Sequence, residues 1–240
     1  MFWHRISRKY HKWLMLFVGL QFVIWSVSGA YMVIFDIDYI HGDSLVKNEQ
    51  IHLKSGQIQY SIATLYDDYP KATQVELSSL LGKAVYRFNT DNKKYLLSAD
   101  TGKPIAPINE NLAARIAKYH YVQVKSTIKR IHLITENPPF ELSARHLPVW
   151  RIDFDDFASP SFYISENTGQ LVTQRHNFWR LFDWMFSFHV MDYIEEDATN
   201  KLLLVFIVFS LIACLFGLVL TYFSLIKRDS NSRKRVRKNA

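Results

Sequence analysis

Three of the nine histidines stand beside long apolar segments. His11 comes just before the apolar residues 13–35, His41 follows them, and His189 precedes the apolar residues 202–226. Imidazole nitrogens bind transition metals and haem iron, and in membrane electron carriers such histidines lie between helices. His11, His41 and His189 are therefore candidate iron ligands. The alternative for each is a histidine that faces headgroups at the end of a span.

The residues after His11 predict a surface for a flat, apolar cofactor. At helical spacing they form a stripe along one face: Met15, Val18, Phe22 and Trp25. Basic side chains near His11 are placed to meet the propionates of a haem: Arg5, Arg8 and Lys12. The other histidines are weaker candidates, because they lie near the N-terminus or between the two apolar segments: His4, His52, His120, His132, His146 and His176.

Acidic residues cluster next to both apolar segments, on the sides away from the chain ends. The first cluster contains Asp36, Asp38 and Asp43 beside His41, and the second contains Asp192, Glu195, Glu196 and Asp197. Carboxylate oxygens bind hard, highly charged cations, so these clusters predict transient docking of ferric iron as a substrate. The alternative is that acidic residues collect on one side because basic residues are held on the other.

The two apolar segments have the length of membrane spans. They contain 23 and 25 residues without a charge, which as helices are roughly 34–38 Å long and exceed a hydrocarbon core of about 30 Å. A buried core helix rarely runs so long without a charge. A cleaved signal peptide is the stronger alternative for residues 13–35, but its apolar part is normally shorter. The sequence therefore predicts two uncleaved spans.

The distribution of charge predicts the orientation. The formal net charge is +7, from 29 basic and 22 acidic residues. The two chain ends hold 11 of the basic residues and one acidic residue, which leaves 18 basic and 21 acidic residues between them. The basic ends predict cytoplasmic termini at a bacterial inner membrane, with residues 36–201 in the periplasm. This pattern excludes a soluble basic domain that binds nucleic acid.

The segment between the spans is long enough to fold without disulfides. Cys214 is the only cysteine and lies within the second span, so no intrachain disulfide can form. A domain of roughly 165 residues can bury its own core. It contains no G-x-S-x-G, H-E-x-x-H, P-loop or C-x-x-C motif, which indicates a binding or spacing module rather than a catalytic fold.

A weak internal repeat predicts an α+β fold with small antiparallel sheets. Strand-like residues 85–88 and 95–98 precede Asp100-Thr101-Gly102, and strand-like residues 149–152 and 161–165 precede Asn167-Thr168-Gly169. The Thr-Gly pairs predict tight turns in which glycine has a positive φ, each followed by another strand. A helix is predicted before each set, over about 61–67 or 75–81 in the first and from Glu110 to about Lys118 in the second.

The predicted segments follow from these boundaries. They are a cytoplasmic N-terminus (1–12), a first span (13–35), a periplasmic domain (36–201), a second span (202–226) and a cytoplasmic tail (227–240). Within the domain the repeats cover about 57–109 and 110–176, and an aromatic interfacial segment covers 177–191. Small residues in the second span form a ridge that favours a homodimer with a four-helix membrane bundle, with packing against the first span as the alternative: Ala213, Gly217 and Thr221.

Several motifs together resemble the PepSY-associated transmembrane family. The first is His11-Lys12-Trp13-Leu14, followed by Gly19-Leu20, Ser28-Gly29 and the acidic exit 35–38. The repeated Thr-Gly hairpins resemble PepSY units. Residues 179–184, Trp-Arg-Leu-Phe-Asp-Trp, followed by Phe188-His189, resemble the aromatic approach to a later span in that family. The resemblance covers most of the chain.

This resemblance implies a haem-dependent ferric reductase of the inner membrane, similar to short two-span proteins that stimulate ferrous-iron uptake. It implies haem b, one or two per dimer, held by His11 with its dimer mate and by His189 with its mate or with His41. Its partners would be membrane lipid, a ferrous-iron permease downstream and an electron donor that the sequence does not identify. The alternative is a non-enzymatic, membrane-tethered PepSY module that binds or regulates a peptidase or another complex.

Overall fold

The computed structural model describes residues 2–47, 52–91, 93–191 and 200–226. The chain divides into two compact units. The helical unit comprises the described residues up to Phe35 and from Phe182 onward, and the sheet unit comprises Asp36–Leu181.

The structure is α+β, as the sequence predicted. Its helices are α1 (Phe2–Ile34), α2 (Ile37–His41), α3 (Ile62–Asp68), α4 (Glu110–His120), α5 (Asn177–Val190) and α6 (Lys201–Thr221), and a π-helical turn, Tyr222–Ile226, follows α6. Its strands are β1 (Thr73–Leu80), β2 (Lys83–Thr90), β3 (Lys93–Ser98), β4 (Thr127–Ile134), β5 (Val149–Asp155), β6 (Ser161–Ser165) and β7 (Leu171–Arg175). All strand pairs are antiparallel and form two sheets, β1-β2-β3 and β4-β5-β6-β7.

Two helices are long and apolar enough to cross a membrane, over Arg5–Ile34 and Lys201–Ser224. Only 11% of the most apolar window of each helix is buried within the chain. A core helix of a soluble domain would be mostly buried, so neither helix has that role here. The first helix begins at Phe2, well before the predicted start of the span at residue 13.

The two sheets contain equivalent hairpins, in agreement with the repeat seen in the sequence. Val85 pairs with Ser98 in the first sheet, and Val149 pairs with Ser165 in the second. In both, the glycine of the following turn donates its N–H to the carbonyl of that serine at 2.9 Å. The φ angles of Gly102 and Gly169 are +68° and +63°, as the Thr-Gly turns predicted.

Each sheet is preceded by a short helix that a side chain caps. Ser61 accepts a hydrogen bond from the N–H of Thr64 at the start of α3, and Asn109 accepts one from Leu112 at the start of α4. The alternative helix over 75–81 is wrong, because these residues form most of β1 and pair with β2.

One hydrophobic core joins both sheets and α4. It contains Leu80, Val85, Leu96, Ile108, Ala113, Ile116, Ala117, Tyr121, Ile152, Phe154, Phe162 and Ile164. Arg87 of β2 is buried and donates from Nε to the carbonyl of Thr168 at 2.8 Å. This bond ties the first sheet to the turn of the second repeat, and burial lowers the pKa of Arg87.

The turn glycine of the second repeat is a sensitive position in this core. A Cβ at Gly169 would lie 3.0 Å from Leu80 and 3.4 Å from Ile108, at a positive φ. We expect Gly169→Ala to lower the free energy of unfolding of the sheet unit by about 1–3 kcal/mol. Gly56→Ala is the control, because a Cβ there meets nothing within 4 Å. Thermal unfolding of the purified chain checks both variants, and equal midpoints would contradict the expectation.

Candidate functional site

The two long helices pack side by side in antiparallel directions. The rings of Tyr10 and Phe216 lie 5.9 Å apart near one end of the pair, and those of Phe17 and Phe206 lie 5.0 Å apart farther along. Phe206 and Ala213 are the buried residues of α6. The outward faces of both helices are apolar and exposed.

The inward face of α1 repeats every seven residues in steps of four and three. The buried or half-buried residues that follow this repeat are Ser7, His11, Leu14, Val18, Gln21, Trp25, Ser28 and Met32, and further half-buried residues adjoin them: Ile6, Gly19, Ile24, Gly29 and Tyr31. Of the predicted stripe, Val18 and Trp25 lie on this face, whereas Met15 and Phe22 are 44% and 65% exposed. A helix that packs against one partner follows a repeat of 3.5 residues, and Met15 and Phe22 do not fit that repeat.

The inward face is polar at three positions, of which the sequence reading singled out only Ser28. Ser7, Gln21 and Ser28 are buried, with exposures of 1%, 7% and 1%. Gln21 was recognisable in the sequence as the strongest polar group inside an apolar segment. Polar groups inside a span usually face the bundle interior and mark functional positions.

The imidazole of His11 is held against α6. Its Nδ1 lies 3.0 Å from the carbonyl oxygen of Ala213. A Cβ added at Gly217 would lie 3.1 Å from Cε1 of His11, so the absence of a side chain at Gly217 makes room for the ring. Since a carbonyl only accepts, Nδ1 carries the proton and Nε2 is left with its lone pair.

The small-residue ridge of α6 thus contacts α1 of the same chain. Ala213 is 1% exposed and supplies the carbonyl next to His11, and Gly217 packs against the same ring. These two residues were expected to bring two copies of the chain together. In this structure they bring the two helices of one chain together.

The imidazole of His189 is held in an equivalent way at the other end of α1. Its Nδ1 lies 2.9 Å from the hydroxyl oxygen of Ser28. The same hydroxyl lies 2.8 Å from the carbonyl of Ile24 and 3.2 Å from that of Trp25, to either of which it can donate. In the tautomer with its proton on Nδ1, His189 donates to the Ser28 oxygen and has its lone pair on Nε2. A Cβ at Gly29 would lie 3.5 Å from Cε1 of His189, in van der Waals contact with the ring.

Both histidines have the features of metal-binding imidazoles. Metal-bound histidines usually donate the other ring N–H to a carbonyl, carboxylate or other fixed acceptor, which sets the tautomer and the orientation of the ring. In the described part of the chain, Nε2 of neither His11 nor His189 has a hydrogen-bond partner. The N–H of Trp25, whose ring lies 6.5 Å from that of His189, is buried and has no acceptor among the described residues. These residues fit a haem.

The two imidazoles form two separate sites. His189 packs at Ser28 and Gly29, which are 17 and 18 residues after His11 on the continuous helix α1. At 1.5 Å per residue this places the two rings about 27 Å apart along the helix. One haem iron cannot be bound by both residues.

His41 and the nearby acidic residues belong to the sheet unit and have different surroundings. His41 is exposed at the end of α2. Asp36 caps α2, with its carboxylate accepting from the N–H groups of Asp38 and Tyr39 at 2.9 and 3.3 Å. The pairing of His41 with His189 stays a prediction.

The predicted ferric docking site is only partly described. Asp36 and Asp38 are exposed, whereas Asp192, Glu195, Glu196 and Asp197 lie outside the described residues. Within the described ranges, no three His, Cys, Asp or Glu side chains lie close enough together to hold a metal ion.

Burial and hydrogen bonding give the weaker histidine candidates of the sheet unit a structural explanation. His176 is 2% exposed, and its Nε2 lies 2.9 Å from the carbonyl of Tyr39. Burial lowers the pKa of four of these histidines, which favours the neutral form: His120, His132, His146 and His176.

A buried ion-pair cluster lies on the second sheet and was not predicted. Arg180 donates from Nε and Nη2 to the carboxylate of Glu141 at 2.6 and 2.9 Å, and the hydroxyl of Tyr163 donates to the same carboxylate. The side chains of Glu141 and Arg180 are 7% and 27% exposed. Burial alone would raise the pKa of Glu141, but the hydrogen bonds from Arg180 and Tyr163 outweigh it and hold this pKa below its usual range.

In comparisons with known proteins, no family model matches this chain, no curated protein matches its sequence, and no solved structure matches its fold. The function is therefore argued from the residues themselves.

Gly217 provides a test of the His11 site that leaves the imidazole itself in place. We expect Gly217→Leu to displace the ring of His11 from the Ala213 carbonyl and to remove any cofactor bound there. Gly19→Leu is the matched control, because a Cβ at Gly19 meets nothing within 4 Å. Visible absorbance per mole of purified protein checks the pair, and the same absorbance in both variants would contradict the expectation.

Proposed function

We propose that this protein is a haem-dependent ferric reductase of the bacterial inner membrane. The observation that carries the proposal is the pair of half-buried imidazoles, His11 and His189, each with Nδ1 within hydrogen-bond distance of a fixed oxygen and with no partner on Nε2 among the described residues. Haem iron in membrane bundles is commonly bound by histidines with this arrangement. The resemblance to PepSY-associated transmembrane proteins supports the same reading.

The chain's own residues would hold and orient the group. The carbonyl of Ala213 keeps the proton on Nδ1 of His11, and the hydroxyl of Ser28 can accept from Nδ1 of His189. Gly217 and Gly29 leave room beside the two rings. A bound haem supplies a one-electron redox centre, and the net reaction transfers one electron from a donor to Fe(III), which leaves as Fe(II). The exposed basic residues near His11 suit the propionates: Arg5, Arg8 and Lys12.

Two copies of the chain would complete the sites. Each site contains one imidazole from the helical unit, so ligation by two imidazoles requires a second chain or His41. The outward faces of α1 and α6 are apolar, with Leu20 and Leu218 both 67% exposed. In a membrane these faces meet lipid or the helices of a second copy, which supports a four-helix bundle.

The expected cellular arrangement follows from the charge pattern of the sequence. The basic chain ends would lie in the cytoplasm and the sheet unit in the periplasm. Ferric iron would be reduced on the periplasmic side, and a separate ferrous permease would take up the product. The donor would be a quinol, a partner protein or a diffusible reductant.

The first test is a reduced-minus-oxidised visible spectrum of the detergent-purified protein. We expect a b-type spectrum, and reoxidation of the reduced protein by ferric citrate with formation of Fe(II). A protein that is colourless when purified from haem-replete cells, and that takes up no added haem, would overturn the proposal.

A membrane-tethered binding module is the second candidate, and the clefts of the sheet unit favour it. One of them, of about 570 Å³, has the size of a small-molecule site. This candidate predicts that the periplasmic domain acts through a partner or ligand and that both His11 and His189 are dispensable.

A further inference from the structure

A cleft in the sheet unit lies where the two repeats meet. Its walls come from β3, from the segment 104–107 that follows the first Thr-Gly turn, from residues 145–147 and from the turn after β6. Its volume is about 570 Å³, which is within the range of sites for small organic molecules.

The charged residues that line this cleft are all basic. Lys93, Lys94 and Arg145 line it, and no Asp or Glu does. None of the three forms an ion pair in the described part of the chain. Arg145 makes one hydrogen bond, from Nε to Nε2 of His146 at 3.1 Å, so both of its Nη groups are free to donate.

A second cleft in the same unit provides a contrast, because its arginines are paired with carboxylates of the protein. It has a volume of about 410 Å³ and is lined by Arg130, Arg151 and Arg180 together with Asp153. There each guanidinium is already paired: Arg130 and Arg151 bond Asp153, and Arg180 bonds Glu141. Lys129 also lines this cleft and forms no ion pair in the described part of the chain, so the contrast lies in the arginines: those of the second cleft are paired with carboxylates and Arg145 of the first is not.

His146 orients Arg145 in the first cleft. Its pKa is lowered first by burial and then by the neighbouring charges of Arg145 and Lys94. Neutral His146 accepts the hydrogen bond from Arg145 and fixes the direction of the guanidinium. The guanidinium is therefore oriented before any ligand arrives.

The free edge of β3 supplies a backbone donor in the same place. Leu96 accepts from the N–H of Ile105, and Ser98 donates to the carbonyl of Lys103, so these residues face away from β2. In an antiparallel strand every second residue faces the same edge, which puts the N–H of Lys94 on this side as well. No partner strand covers the edge at that point in the described structure.

We propose that this cleft binds a small organic polycarboxylate. The three basic side chains and the N–H of Lys94 match two or more carboxylates, and the guanidinium of Arg145 suits a bidentate contact. Apolar and aromatic walls would cover the carbon skeleton: Tyr95, Leu96, Pro104, Pro107 and Leu147. Inorganic phosphate would match the charge but would leave these walls uncovered.

This inference goes beyond the proposed function and does not depend on it. The same carboxylates can reach the cleft as the free acid or as a complex around a trivalent metal ion. The two sources share the recognition chemistry, and the test separates them.

The test is calorimetric titration of the detergent-purified full-length protein at low salt. The probes are citrate, gallium(III)–citrate, which cannot be reduced under these conditions, inorganic phosphate and a triglutamate peptide. We expect citrate to bind and phosphate to bind at least tenfold more weakly. Tighter binding of gallium(III)–citrate than of citrate would identify the metal complex as the ligand, and weaker binding would identify the free acid.

A pair of double variants assigns the site. Lys94→Glu/Arg145→Glu reverses two charges of the cleft, and we expect it to weaken citrate binding at least tenfold. Lys83→Glu/Lys118→Glu makes the same change in charge on exposed residues that do not line the cleft, and we expect less than a twofold change. Circular dichroism confirms that both variants fold.

Four results would overturn the proposal. They are the absence of citrate binding, equal binding of phosphate, equal loss of binding in both double variants, and binding of triglutamate in the cleft without binding of citrate. A haem-free protein that still binds citrate would disprove the reductase function and leave this site intact, so the two proposals fail separately.

Discussion

The double variant His11→Ala/His189→Ala is expected to be colourless, with no b-type spectrum and no ferric reduction. Each imidazole is the described ligand group of its own site, and the sites are about 27 Å apart along α1. Removal of both therefore leaves neither site with its imidazole. Absorbance of the reduced protein, normalised to protein concentration, is the measurement.

The single variants distinguish one haem site from two. If both sites are occupied, His11→Ala and His189→Ala each lose about half of the absorbance, and if one site is occupied, one variant loses all of it and the other none. His52→Ala is the control, because His52 is an exposed histidine of the sheet unit. Full absorbance in the double variant would refute ligation by these residues.

Ser28 provides a finer test, because it positions His189 without binding iron itself. We expect Ser28→Ala to shift the midpoint potential of the His189 site and to weaken haem retention by about 10–100-fold, as for other second-layer partners of metal ligands. Ser26→Ala is the matched control on the same helix, since Ser26 is exposed and bonds only the carbonyl of Phe22. Identical potentials in both variants would show that Ser28 does not orient the ring.

Arg180→Ala should be the most destabilising substitution in the sheet unit. It removes the two hydrogen bonds to Glu141 and leaves that buried carboxylate with only the hydroxyl of Tyr163 and the more distant Arg151, whose Nη2 lies 4.0 Å away. Breaking a buried pair in this way costs about 3–5 kcal/mol. Arg130→Ala is the control, because its side chain is 65% exposed and an exposed pair contributes about 0–1 kcal/mol. Chemical unfolding of both variants measures the difference, and equal stabilities would contradict it.

The same cluster predicts that acid destabilises the sheet unit. Burial would raise the pKa of Asp153, but the hydrogen bonds from Ser161 and Arg151 outweigh it and hold this pKa below its usual range, as for Glu141. A carboxyl with a lowered pKa contributes stability above its unfolded pKa and loses it as the pH falls through the folded value.

His176 acts in the same direction at higher pH. Burial lowers its pKa, partly offset by its bond to the carbonyl of Tyr39. The unfolded chain therefore binds the proton first, and stability falls as the pH drops below about 6.5. The midpoint of unfolding, measured at intervals from pH 7 to pH 3, should fall first below about pH 6.5, where His176 takes up a proton, and again in the more acidic range where Glu141 and Asp153 do. A flat profile would contradict the expectation.

The fold was largely predictable where local chemistry determines it. Alternation of apolar residues indicated the inner strands, and the Thr-Gly turns require a positive φ that glycine adopts without strain. The error over 75–81 has a tertiary cause. The apolar residues in 75–81 do not alternate clearly enough to distinguish a strand from a helix, and pairing with β2 determines their structure.

The site was predictable in its residues but not in its contacts. His11 and His189 were identifiable because they stand at the ends of apolar segments. Their acceptors, the carbonyl of Ala213 and the hydroxyl of Ser28, depend on how the helices align, which no pattern in one helix reveals. For the same reason the sequence left open whether the ridge of small residues packs against a second copy or against the first span, and within one chain it packs against the first span.

The seven-residue repeat on the inward face of α1 determines which residues face inward along the whole helix. Ser28 lies 17 positions after His11, and both residues face inward because the steps of four and three between them are not interrupted. One inserted residue between them would rotate everything beyond it by about 100° and would turn Ser28 toward lipid, while His11 kept its place. An insertion between His11 and Ser28 therefore keeps both side chains on one face only where it adds close to a whole number of turns, as insertions of about 7, 11 or 18 residues do.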